Sequence, residues 1–207
     1  MTAALPAHQW VIDRGRSDVA LLVLGCGVLL LTAWPVDAGR VPGAEAAVFR
    51  VLNGTTVLPF VIVWPVMQLG NVAVVPVSAF LAAAFRRWRL AAELLVAGTA
   101  TYVAAKVVKG IWPRGRPDSL LAEVVIRGDA ALGRGFVSGH AATLTALAAV
   151  AWPWLGPRGR AVVLVSVVLV CLARVHVGAH LPLDVVGGAA LGLAVGGLVR
   201  LVLGRPA

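Results

Sequence analysis

The residues of this chain that could do chemistry fall in three short stretches. They are "KGIWPRGRP" (109–117), "VSGH" (137–140) and "ARVHVGAHLPLD" (173–184). Their polar side chains are Lys109, Arg116, Ser138, His140, Arg174, His180 and Asp184. Three cations, a hydroxyl, two imidazoles and a carboxylate suit an anionic substrate. Arginine forks onto phosphate oxygens, and lysine supplies a point charge. His180 and Asp184 are four apart with Pro182 between them, a residue that fits a helix first turn. That spacing allows them to share one face, with the carboxylate fixing the imidazole tautomer. His140 is then available as a proton donor. Ser138-Gly139-His140 opens an apolar run, so free backbone N–H groups and the positive end of a helix dipole point outward there. Gly139 lets a ligand approach the backbone closely.

The elements that must hold these residues are membrane spans. The 207 residues are 60% hydrophobic and 13% charged. Their mean hydropathy is +0.92. The charged share is about half that of a soluble domain. The apolar residues lie in long runs, without the ten-residue alternation of a membrane β-barrel. The expected fold is all-α: one polytopic membrane domain over 1–207, with six transmembrane helices plus short interfacial helices. The spans fall near 19–36, 71–85, 90–108, 139–155, 161–178 and 183–203. The first reads as an uncleaved anchor rather than a signal peptide, because its apolar core is too long for one. Residues 42–70 read as interfacial or re-entrant helices, since two prolines and Gly70-Asn71 interrupt "VLPFVIVWPVMQLG" (57–70). The alternative is a kinked span continuing to residue 85.

Six spans place all three stretches on one side. "RRWR" (86–89), "PRGR" (157–160), Arg14 and Arg16 before the first span, and Arg200 and Arg205 at the end fall on the other. Tight basic loops mark the cytoplasm, so the chemistry is expected on the extracytoplasmic face of the cell membrane. Each side carries nine bases, but six of the outer nine cluster in 106–134, where they can serve chemistry. The net charge of +9 sits mostly in short loops beside lipid headgroups, which argues against a nucleic-acid partner. Cys26 and Cys171 lie inside apolar runs and read as small core residues. Glu93, in the middle of the third run, has no partner visible in the sequence.

A metal site is the rival reading. His176 and His180 have i,i+4 spacing, and Asp184 is four further on. The stretch is partly loop, however, and the neighbouring Lys and Arg disfavour a cation. No metal or other cofactor is expected.

The three stretches resemble the signature of the type 2 phosphatidic acid phosphatase superfamily of lipid phosphate phosphatases. The pattern K-x6-R-P is met by Lys109, "GIWPRG" and Arg116-Pro117. P-S-G-H is met by Ser138-Gly139-His140, with Val137 in place of Pro. S-R-x5-H-x3-D is met by Arg174, "VHVGA", His180, "LPL" and Asp184, with Ala173 in place of Ser. The resemblance implies metal-independent hydrolysis through a phosphohistidine. It implies that His180 is the nucleophile, that Asp184 orients it, and that His140 protonates the leaving alkoxide. Lys109, Arg116, Arg174, Ser138 and the Gly139 amide would hold the phosphoryl oxygens. The implied partner is a lipid phosphate: polyprenyl phosphate or diphosphate, phosphatidate or phosphatidylglycerol phosphate. Arg- and Ala-rich, Lys-poor usage weakly favours cell-envelope lipid recycling. Transfer of the phosphoryl group to another acceptor, and a non-catalytic lipid-phosphate binder, are the competing functions. The sequence sets no oligomeric state.

Overall fold

Apolar runs punctuated by proline and glycine become helices in the computed structural model, which describes residues 15–56, 58–129 and 131–204. Arg14 and Arg205 lie outside the described residues. In chain order the helices are α1 (Arg16–Ala33), α2 (Gly43–Gly54), α3 (Phe60–Gln68), α4 (Val74–Ala84), α5 (Trp88–Ile111), α6 (Pro117–Leu120), α7 (Gly139–Ala151), α8 (Pro157–His176) and α9 (Pro182–Leu203). A 3₁₀ turn, Trp152–Trp154, follows α7. No strand occurs among the described residues. Prolines open α6, α8 and α9, where their missing N–H is no loss.

Four helices, α1, α5, α8 and α9, are long and apolar enough to cross a membrane. The runs expected as the second and fourth spans are shorter. At 1.5 Å per residue α4 rises only ~16 Å and α7 ~20 Å, against ~30 Å of hydrocarbon. The physical reason is local. Gly70-Asn71 sits in a turn before α4, and Pro153 ends α7 as a 3₁₀ turn. The stretch 60–84 is therefore helix, turn, helix, with the break at Gly70-Asn71 that separates 42–70 from the run after it, rather than one continuous kinked helix.

α9 is the hub. It packs antiparallel to α1 and parallel to α7, and a seam of small residues sets both distances. A Cβ on Gly25 would fall 2.4 Å from the Ala194 nitrogen, and one on Gly192 would fall 2.4 Å from the Ala142 carbonyl. Backbones this close are held by van der Waals contact, which is the main attraction available between helices in lipid. α5 joins the same core through Leu94, Ala97 and Ala105, beside Leu147, Val150, Leu191 and Val195. The seam thus fixes the starts of α7 and α9 side by side. Cys26 is exposed on α1, contrary to its expected core position, and Cys171 is half-buried.

The opposite end of the bundle gathers the basic connections. Arg89 Nε lies 2.8 Å from Glu93, and its Nη2 donates to the Leu203 carbonyl at 2.9 Å. Trp154 Nε1 donates to the other oxygen of Glu93 at 3.1 Å, so that carboxylate has partners after all. Arg200 pairs with Asp18, tying the end of α9 to the start of α1.

Candidate active site

The sequence-distant stretches meet at the other end. α5 ends in Lys109, α7 begins at Gly139, α8 ends with Arg174, and α9 begins at Pro182. The 112–138 connection between α5 and α7 covers them. It is long for a link with almost no regular structure, and such links are commonly functional. Its roof is pinned by a clamp. Asn53 Nδ2 donates to the carbonyls of Val125 (2.8 Å) and His176 (3.0 Å). Arg127 donates to Asn53 O (2.8 Å), His176 O and Thr55 O (3.0 Å). Gly178 beneath it has φ +77°, and a Cβ there would fall 2.8 Å from the Val125 carbonyl. Only glycine meets both conditions.

His180 and Asp184 form the pair the spacing predicts. Asp184 Oδ2 lies 3.5 Å from His180 Nδ1 and accepts the Leu181 amide at 2.9 Å. The second bond caps the first turn of α9 and fixes the carboxylate. Arg116 Nη1 lies beside both ring nitrogens, 3.0 Å from Nε2 and 3.4 Å from Nδ1. The Asp184 carboxylate at Nδ1 favours the neutral tautomer with its proton there and its lone pair on Nε2. Burial holds His180 well below the ordinary histidine range, and the positive charges of Arg116, Arg174 and Lys109 push the same way. The ring is therefore neutral at neutral pH, the form that can attack an electrophile.

Three cations surround that nitrogen without a carboxylate partner among the described residues. Lys109 Nζ donates to the carbonyls of Arg134 (2.7 Å) and Gly135 (3.3 Å). Arg116 spans Ala179 O (2.7 Å), Leu132 O (3.0 Å) and Gly133 O (3.2 Å). Burial lowers the Arg116 proton affinity, although the charges of Asp184 and Asp118 oppose this. A guanidinium nevertheless stays charged at any physiological pH. Arg174 is buried at the end of α8, and its nearest partner is the Met67 sulfur at 3.4 Å. Its Nε has no partner among the described residues. Carbonyls and a thioether are weak company for buried charge, and an oxyanion is what such donors lack.

His140 is half-buried at the first turn of α7 and within electrostatic reach of His180. The Ser138 hydroxyl is buried without a partner among the described residues. The Ser138 amide is already used, donating to the Asp184 carbonyl at 2.8 Å. The amides left for an anion are those of the α7 first turn, beginning with Gly139. All eight expected site residues thus converge, with the anion contact of Ser138 confined to its hydroxyl. Ala173, where the motif has Ser, packs with Val63, Met67 and Val177 on the side facing α3. Val137 is fully buried.

His176 does not join them. Its Nδ1 faces Leu52 O at 3.1 Å and its Nε2 faces Leu58 O at 3.3 Å, so it ties α8 to the α2–α3 region. No cluster of three potential metal ligands occurs among the described residues.

Two residues escaped the sequence reading. Arg114 is fully buried, bonding Asp184 Oδ1 at 3.1 Å and both oxygens of Glu45, one at 3.0 Å. Glu45, on α2, also accepts the Leu183 amide at 2.9 Å. Burial alone would lower the Arg114 proton affinity, but hydrogen bonds and charge from Glu45 and Asp184 more than offset this and raise it. Arg114 was visible inside "WPRGRP", two positions before Arg116. Nothing near Glu45 in sequence announces it.

Helices with apolar spans bring a histidine–carboxylate pair and three buried or half-buried cations together at one end, and the chain belongs to the PAP2 superfamily, whose family model matches residues 90–206. Two solved structures share the fold. One is LpxE from Aquifex aeolicus, 24% identical, with a TM-score of 0.72 over 79% of this chain and 98% of that one. The other is the first transmembrane PAP2 type phosphatidylglycerolphosphate phosphatase from Bacillus subtilis, 22% identical, with a TM-score of 0.62 over 88% and 94%. No curated protein matches the chain.

Proposed function

We propose that this protein is an integral membrane lipid phosphate phosphatase working through a phosphohistidine, without a metal. One observation carries the reading: a buried neutral imidazole, oriented by Asp184, presents Nε2 to Arg116, with Lys109 and Arg174 close by. In this reading the phosphoryl group displaces loop carbonyls from those cations. Ser138 Oγ and the Gly139 amide complete its cradle. His180 Nε2 attacks phosphorus as the lipid oxygen leaves with a proton from His140. Water activated by His140 then cleaves the P–N bond, releasing inorganic phosphate and restoring His180. Asp184 holds the Nδ1 proton and stabilises the ring as it gains charge.

The substrate class is a phosphomonoester or diphosphate of a lipid: a polyprenyl chain, phosphatidate or phosphatidylglycerol phosphate. The fold neighbour from Bacillus subtilis is a phosphatidylglycerolphosphate phosphatase, which supports that class. We take the whole chain as one membrane unit of six crossings. α7 with its 3₁₀ turn, and the α3–α4 pair, would complete the two shorter ones. The site would face away from the cytoplasm, because Arg87, Arg89, Arg160 and Arg200 lie at the opposite end.

The test is phosphate release by purified protein from a panel of lipid mono- and diphosphates, with and without EDTA. Release from at least one lipid, unaffected by chelation, is expected. Binding without release would leave only a carrier, and loss with EDTA restored by zinc would overturn the metal-free mechanism.

A further inference from the structure

We infer that Arg114, which favours the Asp184 carboxylate, and Glu45, which anchors and offsets Arg114, are positioning residues that keep Asp184 aimed at His180, making α2 part of the catalytic apparatus; this rests on the phosphatase reading. The chain of contacts is continuous. Glu45 on α2 grips Arg114 with both oxygens. Arg114 Nη1, 3.0 Å from Glu45 Oε1, is also 3.1 Å from Asp184 Oδ1. Asp184 Oδ2 faces His180 Nδ1. Each carboxylate also caps the start of α9, Asp184 through the Leu181 amide and Glu45 through the Leu183 amide. The guanidinium therefore sits between two acids locked to one helix end, and none of the three side chains can turn independently.

The charge arrangement has a purpose that packing alone would not need. Asp184 and Arg114 have no measurable exposure, so an isolated Asp184 would hold its proton and lose its grip on the Nδ1 hydrogen. Arg114 favours the carboxylate. An uncompensated Arg114 would overdo this and add one more cation to the set already facing His180. Glu45 supplies the compensating charge. The groups facing Asp184 are His180 from the α8–α9 loop, Arg114 and Arg116 from the roof, Glu45 from α2 and Lys109 from α5. Only Arg114 and Glu45 can change the Asp184 charge without touching the phosphate cradle.

The test uses the full-length protein in detergent. Glu45→Gln keeps the shape and the Leu183 bond but removes the compensating charge. The acid limb of the kcat profile should move down by roughly one pH unit. Arg114→Gln removes the ion that favours the carboxylate, so the limb should move up. Arg114→Lys should restore the limb while kcat stays reduced, because a point charge cannot fork between two acids. KM should stay near the wild-type value in all three. A purely structural pair would change kcat with the limb unmoved. An unmoved limb in Glu45→Gln, shifts of the same sign in the two Gln variants, or a change in KM alone would overturn the proposal. If Arg114→Gln does not fold, Glu45→Gln and Arg114→Lys decide it. The second measurement is the ¹⁵N titration of the His180 imidazole in the same proteins. If wild-type protein hydrolyses no lipid phosphate, the phosphatase reading fails by itself, while the opposite shifts of His180 still test the relay.

Discussion

The two ends of this bundle bury charge in opposite ways. At the end carrying the basic connections, each buried acid has an arginine: Asp18 pairs with Arg200, and Glu93 pairs with Arg89 and is also held by Trp154. At the other end four buried or half-buried cations, Lys109, Arg114, Arg116 and Arg174, face two carboxylates, Glu45 and Asp184. With His180 neutral, that cluster carries two surplus positive charges. A phosphate monoester brings about −1.5 to −2. One end finishes its buried acids with ion pairs inside the fold, and the other carries a surplus that an anionic ligand would balance. Charge balance, more than charge count, separates a structural ion pair from a site.

This contrast can be broken most severely at His180. His180→Ala should lower lipid phosphate turnover by on the order of 10⁴–10⁶-fold and abolish trapping of labelled phosphoenzyme. Label trapped on His140 instead would reverse the assigned roles. His140→Ala should slow a lipid monophosphate by roughly 10²–10⁴-fold and an aryl phosphate far less, because only the poor leaving group needs the proton. Equal losses on both substrates would mean that His140 acts in binding.

The finished end should respond in stability instead. Asp18→Asn breaks the Arg200–Asp18 ion pair, and breaking such a buried pair costs about 3–5 kcal/mol. Thermal unfolding in detergent should shift down, while kcat per folded molecule holds. A fall in kcat with unchanged stability would erase the distinction between the ends.

The smallest effect is one of pH. His180 works as the neutral ring, and its proton affinity lies below the ordinary value near 6.5. Activity should therefore persist as pH falls through about 6.5 and disappear only on the acid side of it. The same shift means that the unfolded chain takes up a proton there before the native one does, so stability declines as pH falls below about 6.5. A rate profile with its acid limb at or above 6.5 would show a solvated imidazole and contradict the burial of the site.

The site was legible because its chemistry is written in short, fixed spacings. The four-position step from His180 to Asp184 makes about one helical turn, and Lys109 and Arg116 are seven positions apart. Apolar runs located α1, α5, α8 and α9 to within a few residues. Hydropathy could not distinguish a full crossing from a half, since Val74–Ala84 is as oily as any span but only 11 residues long. Glu45 and the Asn53–Arg127 clamp were invisible for another reason. Their partners lie 69 and 74 residues away, and nothing local marks a carboxylate or amide that is satisfied only by tertiary contact.

The glycine seam has a consequence for where this domain begins. The family match opens at residue 90, yet Gly197 of α9 rests against Leu22 and Asp18 of α1, and its neighbour Gly25 rests against Ala194. Cutting the chain at the match boundary would strip α9 of the helix its notches were shaped for, and would remove Glu45 with it. The segment matched by the family model is thus smaller than the set of helices in contact with α9, since α1 and α2 both touch it from outside the match.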